Sequence, residues 1–105
     1  MVSKKVEDEY LRDYELVLII SPEITEEGYE TIMGKISQLV TGSGGVISDV
    51  ERWGKRRLAY PINHFVEGNY VLTRFKSKPA LNRELKVSLQ VSEEVLRYLL
   101  IRLNS

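Results

Sequence analysis

The stretch Tyr14 to Pro22, Y-E-L-V-L-I-I-S-P, decides the fold. In an extended chain successive side chains point to opposite faces. Tyr14, Leu16, Leu18 and Ile20 therefore line one side of a strand, and Val17 and Ile19 the other. Apolar residues on both sides predict a strand central in its sheet and covered twice. Ser21-Pro22 ends it, because proline has no N–H to give the ladder.

Working outward, Thr25 is suited to cap a helix, with Glu26 and Glu27 in the first turn where the helix dipole favours carboxylates. Tyr29, Ile32, Met33, Ile36, Leu39 and Val40 recur at helical spacing and define one apolar face. Gly42, Gly44 and Gly45 supply the stop and the reversal. A second strand is expected from about Val46 to Tyr60, bent at Gly54, where a bulge would re-aim the side chains that follow. Pro61 opens a loop through His64 to Gly68, and a third strand runs from Asn69 to Lys76. Pro79 suits the first turn of a helix marked by Leu81, Leu85 and Leu89. Val95 to Leu103 reads as a last, largely buried strand. The order β-α-β-β-α-β, with right-handed crossovers, predicts an α+β, ferredoxin-like domain: a four-stranded antiparallel sheet with two helices on one face. The expected organisation is a polar N-terminal extension over 1–12 and a single domain over 13–105.

The chain is long enough for one core without metal or disulfide support, and it has no cysteine. Its longest apolar run, Leu16 to Ile20, is far short of the ~20 residues of a membrane helix. The first 13 residues alternate charges and lack the apolar core of a signal peptide, so a cytoplasmic chain is expected. The formal net charge of zero conceals a split. Residues 1–51 carry 4 Lys/Arg against 11 Asp/Glu, 4 − 11 = −7; residues 52–86 carry 9 against 2, 9 − 2 = +7. Such asymmetry points to an anionic partner for the basic part.

The cations centre on Arg52 to Ile62, R-W-G-K-R-R-L-A-Y-P-I, which holds four of them and no carboxylate. Guanidinium groups can grip phosphate bidentately and stack on exposed bases, so RNA is one reading. The other is structural: Arg52 and Lys55 could pair with Asp49 or Glu51 across the sheet. Alternation sends Arg56 and Arg57 to opposite faces, so one phosphate cannot engage both. Tyr70 and Phe75 likewise fall on opposite faces and cannot form one base-stacking platform.

Catalysis has little to stand on. The single histidine, His64, lies in an expected loop, and no serine has the context of a nucleophile elbow. Glu23, Glu26, Glu27 and Glu30 belong to a helix start and its exposed face, with no second acidic cluster to complete a metal or acid–base site. G-S-G-G at 42–45 lacks the Lys-Ser/Thr of a P-loop and precedes a strand. Acylphosphatase-like enzymes share the topology, but need an arginine in the loop after the first strand, and here that loop is Ser-Pro-Glu-Ile.

Three segments together resemble one family: Tyr14 to Glu23, then Gly44 to Ile62 (G-G-V-I-S-D-V-E-R-W-G-K-R-R-L-A-Y-P-I) followed by E-G-N-Y-V-L-T-R-F, and the closing L-K-V-S-L-Q-V-S-E-E-V-L-R-Y-L-L-I-R. The family is that of the sixth protein of the bacterial small ribosomal subunit, and the likeness spans about Asp13 to Leu103. The resemblance implies a non-enzymatic component of the small subunit. Such a protein would bind the central domain of small-subunit ribosomal RNA together with the subunit's eighteenth protein, without cofactor, membrane or small-molecule substrate. It implies RNA contacts at Arg12, Lys55, Arg56, Arg57 and Tyr60, and partner-protein contacts at Tyr14, Val17, Ile19 and Trp53. The N-terminal extension and the lack of an acidic C-terminal tail depart from the family. A partner would also cover the apolar Val17 and Ile19, which helices on one face leave open; exposed apolar patches mark interaction sites. A ligand-binding or regulatory domain that dimerises through that face is the alternative.

Overall fold

The computed structural model describes residues 10–103, with the elements β1 (Arg12–Ile20), α1 (Glu26–Gly42), β2 (Val46–Ile62), β3 (Phe65–Ser77), α2 (Leu81–Gln90) and β4 (Val95–Arg102). The sheet order is β2-β3-β1-β4, every neighbouring pair antiparallel. This is the predicted ferredoxin-like arrangement. The first nine residues of the expected extension lie outside the described residues, and Arg12 already belongs to β1.

Burial along β1 alternates strictly, with Tyr14, Leu16, Leu18 and Ile20 inside. They meet Ile32, Ile36 and Val40 from α1 and Leu81, Leu85 and Leu89 from α2. Fully burying one such side chain contributes about 1.5–3 kcal/mol, so this single layer of contacts holds the helices to the sheet. Thr25 caps α1 as expected, its hydroxyl accepting from the Gly28 N–H at 3.0 Å.

Several boundaries differ from the sequence reading, each for a local reason. β1 is central, flanked by β3 and β4, but among the described residues no helix covers its Val17/Ile19 side. The expected loop over 61–68 is strand except for Asn63 and His64, both with positive φ (49° and 71°), which close Ile62 against Phe65. A two-residue hairpin turn needs left-handed conformations at both positions, and Asn tolerates them better than most residues. Pro79 precedes α2, whose N-cap is Ala80. β4 is an edge strand with Leu99 and Ile101 exposed, where the sequence suggested a largely buried one. Gly54 does bend β2: its φ is +85°, and the register with β3 slips between Arg52 and Gly54.

Candidate nucleic-acid and partner interface

β1 ends where Ile20 pairs with Asn69, which pairs on its other side with Lys55. Beyond that rung β2 and β3 continue alone, through Arg56 opposite Gly68 and Arg57 opposite Glu67, as a two-stranded arm. Arg56 and Arg57 face consecutive residues of β3 and so project from opposite faces, as the alternation requires. Lys55, Arg56 and Arg57 are all exposed. Trp53 sits on the bulge at the root of the arm, 43% exposed, with its indole N–H donating to Glu51 at 3.0 Å. The Arg56 guanidinium lies 5.5 Å from the Trp53 ring centroid, within cation–π range. A residue expected at the partner and one expected at RNA therefore share one spot.

Arg52 behaves differently. It forms a bidentate pair with Glu26 in the first turn of α1 (2.8 and 3.1 Å) and lies 3.7 Å over the Tyr29 ring. The structural alternative, in which Arg52 pairs with Asp49 or Glu51, does not hold for Arg52, because it stands opposite Val71 and points to the helix layer. The Arg52 hydrogen bond holds the Glu26 carboxyl below its ordinary range, with burial opposing. Asp49 and Glu51 face the open side and serve Arg74, which also donates to Glu15 at 2.9 Å. The indole donor of Trp53, more than any charge, holds Glu51 low. Among the described residues these two arginines, Arg52 and Arg74, are the ones tied into ion pairs; Lys55, Arg56 and Arg57 are not.

The uncovered face carries an apolar band made of Val17 and Ile19 from β1 with Leu99 and Ile101 from β4. The arm curls over one end of it. Leu58 is buried against Gly68, and Tyr60 reaches Arg97, whose guanidinium donates to the Tyr60 hydroxyl. Ile19, Tyr60, Tyr70 and Arg97 border one shallow hollow there. Tyr60, expected at RNA, is thus placed on the open face with Val17 and Ile19. Tyr14, expected at the partner, is a correction: it is 2% exposed and stacks on Phe75 in the core, centroids 5.6 Å apart. Its even position puts it on the helix side of β1, away from Val17 and Ile19. Tyr70 lies on the face opposite Phe75, so no aromatic platform forms. Sequence reasoning missed Arg97, Leu99 and Ile101, although their period-two spacing was available.

Arg12 stands apart from the arm. It pairs with Ser77, ten β3 residues from the Glu67 opposite Arg57, which at ~3.3 Å per residue is about 33 Å. Among the described residues no group of three or more His, Asp or Glu side chains could hold a metal ion.

The described residues thus form a ferredoxin-like domain with a cationic two-stranded arm and an apolar face that neither helix covers. The family model for ribosomal protein S6 matches residues 13–102, and the chain belongs to that family. It is 42% identical over 93 residues to small ribosomal subunit protein bS6 of Moorella thermoacetica, covering 89% of this chain and 95% of the relative. The bS6 of Dehalococcoides mccartyi is 41% identical over 96 residues, covering 91% and 88%. Among solved structures, 30S ribosomal protein S6 of Thermotoga maritima superposes with a TM-score of 0.81 at 32% identity, covering 89% of this chain and 88% of that one. The C-terminal domain of the Mycobacterium tuberculosis MgtC protein shares only the fold, at TM-score 0.62 and 12% identity. As a member of the S6 family, this chain is a protein of the small ribosomal subunit and not an enzyme.

Proposed function

We propose that the chain binds the central domain of small-subunit ribosomal RNA jointly with the eighteenth small-subunit protein. In this reading Lys55, Arg56 and Arg57 hold phosphates from the arm, and Arg12 contributes at a distance. The partner protein covers Val17, Ile19 and Tyr60 on the open face, with Trp53 at the boundary between the two ligands. The observation that carries the reading is that Lys55, Arg56 and Arg57 are exposed and free of ion pairs, while the fold's own needs are met by Arg52 and Arg74. Phosphate contacts of this kind dominate affinity and make it depend on salt.

The test is the salt dependence of binding to a central-domain ribosomal RNA transcript, with the eighteenth protein present. Arg56→Ala and Arg57→Ala should each lower the slope of log affinity against log salt by about 1. Unchanged slope and affinity in both variants would reject phosphate contact by the arm. A chain that self-associates through the open face and leaves the eighteenth protein unbound would favour a dimerising regulatory domain instead.

A further inference from the structure

The bulge at Gly54 changes which face each residue of β2 serves. Before it, Glu51 faces the open side, where it meets Arg74, and Arg52 faces the helix layer. Unbroken alternation would return Arg56 to the helix layer with Arg52. The register with β3 instead slips between Arg52 and Gly54, leaving Trp53 as the extra residue, Gly54 opposite Tyr70 and Arg56 opposite Gly68. Residues directly opposite in an antiparallel pair share a face. Tyr70 borders the open-face hollow, and a Cβ on Gly68 would run into Ile19, so Arg56 shares the open side with Glu51. The Arg56 guanidinium thereby ends a chain of contacts that begins in the body of the sheet. Arg74 donates to Glu15 at 2.9 Å and to Glu51 Oε2 at 3.2 Å. Glu51 Oε1 accepts from the Trp53 indole N–H at 3.0 Å, and the Arg56 guanidinium lies 5.5 Å from the centroid of that ring. A donor on each oxygen braces the Glu51 carboxylate, and with it the indole that donates to it. Among the described residues Arg57, on the other face, has no ring beside its guanidinium.

We propose that Glu51 and Arg74 are positioning residues for RNA binding, acting through the Trp53 ring to hold Arg56 in the conformation that meets a phosphate. Neither needs to touch RNA. A long side chain on an open arm loses rotamer freedom when it takes a ligand, and a cation held in advance over an aromatic ring loses less. The sign of the effect sets this role apart from plain charge. A carboxylate beside a phosphate site repels RNA, so on charge alone deleting Glu51 would tighten binding. Deleting it as a brace loosens binding. The inference rests on the RNA-binding reading above and goes beyond it, giving Glu51 and Arg74 a part in recognition.

The test is the affinity of Glu51→Ala for the same transcript, with the eighteenth protein saturating. Loss of the ring contact should weaken binding about two- to fivefold. The salt slope should stay unchanged, because it counts phosphate contacts and both arginines remain. Glu51→Gln, which keeps an oxygen for the indole, should recover most of the lost affinity. Trp53 is the only tryptophan, so its fluorescence anisotropy should fall in Glu51→Ala and return in Glu51→Gln. In an Arg56→Ala background, Glu51→Ala should weaken binding no further. Should Glu51→Ala melt well below the wild type, Trp53→Phe, which keeps a ring and deletes the donor, replaces it in the binding assay with the same expected weakening. Binding by Glu51→Ala as tight as the wild type, or tighter, overturns the inference. So does an equal loss in the Arg56→Ala background. Either result leaves the arm reading intact as long as Arg56→Ala and Arg57→Ala lower the slope. Unchanged slope and affinity in those two variants overturns both readings.

Discussion

Gly68→Ala should loosen the root of the arm. Gly68 is buried opposite Arg56, at the first rung past the end of β1. A Cβ there would lie 2.5 Å from Ile19 Cγ2, 3.5 Å from the Ile20 carbonyl oxygen and 3.6 Å from Leu58 Cδ2. Carbon atoms prefer about 3.5–4.0 Å, so something must move by roughly 1 Å. Ile19 has little freedom: its Cγ2 is set by a stiff χ1, and its strand is held between Tyr70 and Arg97. Overpacking of this size costs about 1–3 kcal/mol. For a domain of this length each kcal/mol lowers the melting temperature by about 4–8 °C. Calorimetric or circular-dichroism melts should therefore show Gly68→Ala about 4–24 °C below the wild type. Gly34→Ala is the opposite control, because its Cβ would meet nothing within 4 Å on an exposed helical position, and it should gain about 0.5–1 kcal/mol. Ile19→Ala removes the clashing methyl, so in that background the cost of Gly68→Ala should largely vanish. If the two single costs add to within about 0.5 kcal/mol, or Gly68→Ala melts with the wild type, the close approach at Ile19 is not what reserves this position for glycine.

Other perturbations follow from the same geometry. The Thr73 hydroxyl is fully buried in the sheet's helix-side face, with no hydrogen-bond partner among the described residues. Thr73→Val should therefore raise stability by about 1–3 kcal/mol in urea unfolding, and a loss would show that the hydroxyl has a partner. Leu85→Ala empties a fully buried site between α2 and the sheet and should cost about 2–5 kcal/mol; a cost under 1 would mean that α2 collapses onto the gap. Thr25→Ala removes the cap of α1 at about 0.5–2 kcal/mol, measurable by the same denaturation. Glu26 and Glu51 both titrate below the ordinary glutamate value of 4.5 in the folded chain. A depressed carboxyl adds stability that is complete above its unfolded value and is lost as pH falls through the folded one, so stability should drop below about pH 4.5. Trp53→Phe deletes the indole donor and should move the Glu51 midpoint up towards 4.5 in a carboxyl NMR titration; an unmoved midpoint would remove the indole as the main cause.

Much of this protein could be read from local pattern. Strand β1, the apolar face of α1, the Thr25 cap and the bend at Gly54 each follow from side-chain period or from the conformational range of one residue. Element order and crossover handedness then leave one economical topology. The arginine pair was legible as two residues for two faces, since alternation is a property of the strand itself. The hairpin tip was not, because Asn63-His64 lacks the glycine that usually announces a two-residue turn.

What depended on tertiary structure is which charges are free. Composition gives nine cations between residues 52 and 86, but their partners come from elements far away in the chain. Arg52 is taken up by Glu26 and Arg74 by Glu15, Asp49 and Glu51, while among the described residues Arg56 and Arg57 are left on an arm that no third strand accompanies. Tyr14 and Val17 sit three residues apart on one strand, yet one is core and the other faces outward, because the helices cover a single side. The sequence by itself determined the elements, their order and the charge asymmetry, all of which are short-range or additive. Pairing across the sheet, and the side the helices leave bare, required the fold, because ion pairs and burial are set by distance in space and not along the chain.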